Sequence, residues 1–123
     1  MKLSVRLARE TMQGINELKE ILEDDIQFSG LSLSNGFVVN QAYQEAKDSD
    51  WEIIIETKRR GKQTKEILEV KTNLTLSQAT IDGINELKKV LPQYFEEISY
   101  VTTSFVIRLI IRAALIKRDK LND

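Results

Sequence analysis

A hexapeptide written twice constrains this chain more than any other feature. Gly14-Ile15-Asn16-Glu17-Leu18-Lys19 recurs unchanged as Gly83-Ile84-Asn85-Glu86-Leu87-Lys88, at an offset of 69 residues. Extended leftward, that offset pairs Lys2 with Lys71, Val5 with Leu74, Leu7 with Leu76 and Thr11 with Thr80. To the right, Phe37-Val38-Val39 corresponds to Phe105-Val106-Ile107 at an offset of 68, a one-residue change that a loop absorbs. Matched flanks on both sides point to duplication of a unit of about fifty residues, with too few copies for a solenoid.

Each copy reads as strand, helix, helix. Leu3, Val5 and Leu7 alternate with Lys2, Ser4 and Arg6. In the second copy Val70, Leu74 and Leu76 alternate with Lys71, Asn73 and Thr75, with Thr72 an imperfect inward position. A period of two describes a strand with one buried and one open face. Met12, Ile15, Leu18 and Leu22 then recur at helical spacing, as do Ile81, Ile84, Leu87 and Leu91, for which Ser77 is the expected N-cap. A turn leads to a second helix in both copies. Gly30-Leu31-Ser32-Leu33-Ser34 precedes Phe37, Val38, Ala42 and Ala46, and Thr102-Thr103-Ser104 precedes Phe105, Val106, Leu109, Ile110 and Ala113. Gly14 and Gly83 fall inside the first helices, where glycine costs about 1 kcal/mol relative to alanine. Close helix approach and plain inheritance from the duplication both account for them.

The chain therefore divides into a first repeat at 1–48, an insert at 49–69 and a second repeat at 70–123. In the insert, Trp51-Glu52-Ile53-Ile54-Ile55-Glu56 is rich in β-branched residues, and a turn glycine lies in the basic run Lys58-Arg59-Arg60-Gly61-Lys62. A β-hairpin is the expectation there. A helix from a Ser49/Glu52 capping box is the competing reading.

Composition narrows the chemistry. A chain of 123 residues, 41% hydrophobic, suits one compact domain or two very small units sharing a core. It has no cysteine and no histidine. Thiolate ligands, disulfides, a cysteine nucleophile and the commonest general base are thus excluded. No catalytic residues, metal site or cofactor are expected, and an enzyme is not. Met1 to Arg6 is followed by no long apolar run, so a signal peptide is not expected. Ser99 to Ile116 is apolar but holds Arg108 and Arg112, each costing about 2.5–3.5 kcal/mol at a bilayer centre. That stretch reads as a buried helix of a soluble, cytoplasmic protein without membrane contact, its two arginines on an exposed flank.

Neither repeat is self-sufficient, because a lone strand satisfies neither its backbone groups nor its apolar face. Two copies answer both needs when their strands pair antiparallel and four helices close beneath over Leu3, Val5, Leu7, Leu74 and Leu76. The strand-helix-helix order, the alternating strand and the small polar approach to the second helix resemble the ribbon-helix-helix family of DNA-binding proteins, which includes Arc and MetJ. Carrying both halves in one chain is similar to the tandem, TraY-type conjugation proteins. The fold class implied is mostly α with a short β-ribbon, the two repeats forming one intramolecular pseudodimer.

The resemblance implies double-stranded DNA as partner, with the ribbon's outward residues in the major groove. Those positions are Lys2, Ser4 and Arg6 with Lys71, Asn73 and Thr75. Arg and Lys donate to guanine, Asn pairs with adenine, and Thr hydrogen-bonds or touches a thymine methyl. Phosphate contacts are implied at the N-terminus of each second helix: Ser32, Leu33 and Ser34 behind Gly30, and Thr102 and Thr103 in the second copy. The second copy departs from the pattern, with Ile98 in the glycine's place and Tyr100 in the first serine's. Lys58, Arg59, Arg60 and Lys62 are candidates for additional DNA contacts.

Net charge tempers this picture. The three segments carry −3, 0 and +2, for −1 overall. Attraction to phosphate must then be local, affinity for a single chain modest, and neighbouring copies on repeated sites the expected mode of binding. The tandem arrangement implies a relaxosome accessory protein near a plasmid transfer origin, with a relaxase as second partner. A transcriptional repressor is the alternative within DNA binding, and a protein-interaction module using the insert is the alternative outside it.

Overall fold

Two strands form where the alternation places them, and they pair with one another. The computed structural model describes residues 2–28, 30–57 and 69–121. In it β1 (Lys2–Ala8) and β2 (Glu69–Thr75) make a two-stranded antiparallel sheet. Leu3 stands opposite Leu74, and Val5 opposite Thr72. Leu7, Leu74 and the following Leu76 are buried, while Leu3, Val5 and Thr72 are half-buried. One face of the ribbon thus caps the core, and a one-residue slip would turn every one of these side chains outward.

The rest of the described chain is largely helical. α1 (Arg9–Glu23) follows β1 directly, and α4 (Gln78–Val90) follows β2 after two residues. Each buries the stripe read from its spacing: Ile15, Leu18 and Leu22 in α1, Ile84 and Leu87 in α4. Their starts differ. Ser77 caps α4 by accepting from the Thr80 amide, and its hydroxyl lies 2.9 Å from the buried Thr80 Oγ1. The corresponding N-cap of α1 is Ala8, which offers no side-chain bond, and the buried Thr11 Oγ1 has no partner among the described residues.

α2 (Asn35–Ala46) and α5 (Thr103–Leu121) complete the layer beneath the ribbon. α5 touches α1, α2, α4 and β1, and buries residues on most of its circumference, including Val106, Ile107, Ile110, Ile111 and Ala114. A helix covered on so many sides has little free flank. Arg108 and Arg112 are accordingly half-buried rather than exposed, and Arg112 reaches Glu10 of α1 at 3.2 Å. No helix among the described residues is long and apolar enough to cross a membrane.

Both hexapeptide glycines lie at helix crossings. A Cβ on Gly14 would stand 2.6 Å from Ile111 Cγ2 of α5, and one on Gly83 would stand 2.1 Å from the ring of Tyr43 in α2. Their role is close packing, which outweighs the propensity cost of glycine within a helix. Tyr43 and Ile111 are themselves counterparts at the offset of 68.

The insert corrects one expectation. Trp51–Glu56 forms a short helix, α3, rather than a hairpin strand. Asp50, not Ser49, is its cap, accepting from the Ile53 amide. Trp51 and Ile54 are buried and α3 packs on α5, so one apolar face at a spacing of three prevailed over β propensity. The remainder of the insert, with Lys58, Arg59, Arg60 and Lys62, lies outside the described residues. Glu69, assigned above to the insert, already belongs to β2.

Candidate nucleic-acid interface

The outer face of the ribbon is polar along its length. Lys2, Ser4, Arg6, Lys71, Asn73 and Thr75 are all exposed. The register gathers them into three cross-strand pairs: Lys2 with Thr75, Ser4 with Asn73, and Arg6 with Lys71. Side chains two residues apart on one strand are separated by about 6.6 Å, so Lys2 to Arg6 spans about 13 Å. That is close to four base-pair steps of 3.4 Å. The paired strands lie about 4.8 Å apart, and a major groove about 12 Å wide admits such a ribbon.

Beside the ribbon sit the N-termini of α2 and α5. Ser34 Oγ accepts from the Phe37 amide at 3.1 Å, and Thr102 Oγ1 accepts from the Phe105 amide at the same distance. The two caps are counterparts at the offset of 68. Each satisfies one of the four amides that a helix start leaves unbonded, and the helix dipole gives the end a partial positive charge. Both ends also touch the ribbon's backbone. Gly36 approaches Thr75 so closely that a Cβ would lie 2.5 Å from the Thr75 carbonyl oxygen. Its counterpart, Ser104, donates to the carbonyl of Arg6. The ribbon is thus seated on both helix starts.

The other expected phosphate contacts divide. Ser32 is exposed. Leu33 is buried in the core, and its amide donates to the Glu23 carboxylate at 3.4 Å. Thr103 Oγ1 accepts from Lys88 Nζ at 3.2 Å.

That last contact exposes two residues the sequence reading passed over. Lys88 reaches Thr103 at the start of α5, and Lys19 Nζ lies 2.6 Å from Asn35 Oδ1 at the start of α2. Lys19 and Lys88 end the two copies of the hexapeptide, while Asn35 and Thr103 are counterparts at 68. Each helix start therefore has an ammonium group beside it, half-buried, with a stem of four carbons. The exact repetition of the lysine was the available signal. It was hidden because a lysine on an amphipathic helix ordinarily reads as solvated surface.

Charge at the interface comes from Lys2, Arg6 and Lys71 on the ribbon and Lys19 and Lys88 at its sides. This face gathers cationic groups and donors although the whole chain is weakly acidic. Among the described residues, no group of acidic side chains is arranged to hold a metal ion. Comparison with family models, with curated proteins and with solved structures finds no match to this chain.

Proposed function

We propose that this chain is a tandem ribbon-helix-helix protein, a single-chain pseudodimer whose ribbon enters the major groove of double-stranded DNA. Its particular role, on this reading, is sequence-specific binding as an accessory of plasmid conjugation, beside a transfer origin and a relaxase. The observation that carries the fold reading is the ribbon register. Ser4 and Asn73 are counterparts in the repeat and also cross-strand partners. Lys2 pairs with Thr75, while their counterparts Lys71 and Arg6 pair with each other. Such a closed set supports a pseudo-two-fold axis between Ser4 and Asn73. The reciprocal contacts Gly14 to Ile111 and Gly83 to Tyr43 obey the same axis.

Support for DNA as ligand is chemical. Six polar side chains at groove-compatible spacing are flanked by two capped helix starts, each with its lysine. A ribbon spanning about four base-pair steps reads too short a word to single out one site among the 10⁶–10⁹ competitors in a genome. Neighbouring chains on repeated words supply the missing specificity.

The test is binding to a duplex selected from random DNA, measured by fluorescence anisotropy over a range of salt. Arg6→Ala and Asn73→Ala should each cost about 1–3 kcal/mol and relax preference at one base pair. Equal binding of the wild-type chain to all sequences overturns the reading. The location of the selected word then decides the role. Beside a nick site it supports conjugation, and across a promoter it supports the repressor instead.

A further inference from the structure

The two ends of the ribbon differ at one pair of counterpart positions, and we infer that this difference fixes the direction in which the chain lies on its DNA site. The inference rests on the major-groove reading above. At one end Arg6 stands opposite Lys71; at the other Thr75 stands opposite Lys2. Lys2 and Lys71 are counterparts and alike, so they do not distinguish the ends. Arg6 and Thr75 are counterparts and unlike.

Their chemistries are not interchangeable. Arginine is a planar donor that grips guanine O6 and N7 through two bonds, and it has no acceptor to offer adenine N6 or cytosine N4. Threonine offers one hydroxyl and one methyl, tolerates several bases and is satisfied beside thymine. The half-site under Arg6 therefore demands a guanine, and the half-site under Thr75 does not. Rotating the chain by half a turn about its pseudo-axis would lay Thr75 over that guanine and strand Arg6. A good bidentate contact discriminates by about fivefold or more, so one direction dominates by at least that factor. Asn73 opposite Ser4 adds a second asymmetry at the axis, favouring adenine on one strand of the central step. A homodimer with two identical strands has no such polarity. A chain that binds in one direction marks one side of its site, which is what loading a second protein on a chosen strand requires.

The chain lacks cysteine, so a single introduced thiol can carry a DNA-cleaving iron chelate. Ile26, 93% exposed between α1 and α2, and Tyr100, 74% exposed between α4 and α5, lie in the connecting segments of opposite repeats. On the selected duplex, Ile26→Cys should direct cleavage to one side of the site and Tyr100→Cys to the other, each with at least fivefold bias. Adding Thr75→Arg should reduce that bias on the same duplex and shift the selected word toward guanine in both halves. Symmetric cleavage by both labelled chains, with specific binding intact, overturns fixed direction while leaving DNA recognition standing. One-sided cleavage unchanged by Thr75→Arg overturns the assignment to this pair. Failure of the wild-type chain to prefer any duplex overturns the DNA reading itself.

Discussion

Gly83 faces Tyr43 across the crossing of α4 and α2, with space between them for a hydrogen and not for a methyl group. Gly14 faces Ile111 across α1 and α5 in the same way. The two crossings differ in what must yield. Ile111 is β-branched and 2% exposed, so its Cγ2 has no alternative place. The Tyr43 ring is half-buried, and its tip can swing. Alanine gains about 1 kcal/mol of helix propensity at either site, against an overpacking cost of about 1–3 kcal/mol. Gly14→Ala should therefore destabilise by about 1–2 kcal/mol and Gly83→Ala by less, as read from urea midpoints. Tyr43→Leu in the Gly83→Ala background should recover the loss, and a coupling energy near zero in that double-mutant cycle would refute the contact.

A second prediction concerns the start of α1. Ala8 occupies the position that Ser77 holds before α4, and Thr11 is left with a buried hydroxyl lacking a partner among the described residues. Ala8→Ser should restore both bonds seen in the other copy, one to the Thr11 amide and one to its hydroxyl. Ala8 has φ −60° and ψ 151°, close to the φ −67° and ψ 157° of Ser77, so no backbone change is needed. The expected gain is about 1 kcal/mol, or about 3–5 °C in Tm. A control, Ser77→Ala, should lose a similar amount. No change in either variant would show that these caps are not coupled to folding.

The repeat made much of this legible, and for a physical reason. Alternation fixed which strand residues face the core, because the side-chain period of a strand leaves two choices only. Leu7 and Leu74 are buried and Lys2, Arg6 and Asn73 exposed, as that alternation requires. The hexapeptide aligned the strands and first helices, and the match of Phe37-Val38-Val39 to Phe105-Val106-Ile107 at 68 aligned the caps Ser34 and Thr102. What escaped depended on tertiary surroundings. Trp51–Glu56 has strand-like residues, yet α5 offered a surface that a single helical face could cover. Arg112 looked exposed until Glu10 of α1 came within 3.2 Å. The contacts of Lys19 and Lys88 require knowing that α2 and α5 begin beside the ends of α1 and α4, which no local pattern states.

Those two lysines carry a third prediction. If Lys19 and Lys88 stand beside phosphates, removing either charge weakens binding to every duplex alike. The slope of log K against log salt should flatten by about one unit for each. Lys19→Gln and Lys88→Gln keep half the stem and a hydrogen-bond donor at two half-buried positions, so folding is expected to hold. Preference among duplexes should be unchanged, in contrast to Arg6→Ala. A loss of discrimination without a change of slope would move these residues from phosphate to base contact.

The last prediction concerns how the ribbon is held on the helices. Gly36 lies against the backbone of Thr75, where a Cβ would come within 2.8 Å of the nitrogen as well as 2.5 Å of the oxygen. Backbone cannot rotate aside as a side chain can, so Gly36→Ala must shift either β2 or the start of α2. On the other side Ser104 holds β1 by one hydrogen bond to Arg6, which Ser104→Ala removes at a cost of about 1 kcal/mol. Gly36→Ala should cost more, about 2–3 kcal/mol. It should also displace Thr75 and Asn73 relative to the capped start of α2, so that the proposed base-reading and phosphate-holding groups no longer fit one duplex together. Specific binding should then fall further than stability does, measured at a temperature where circular dichroism shows the variant folded. Full specific affinity in folded Gly36→Ala would mean that the ribbon and α2 engage DNA independently, and that their close approach serves packing alone.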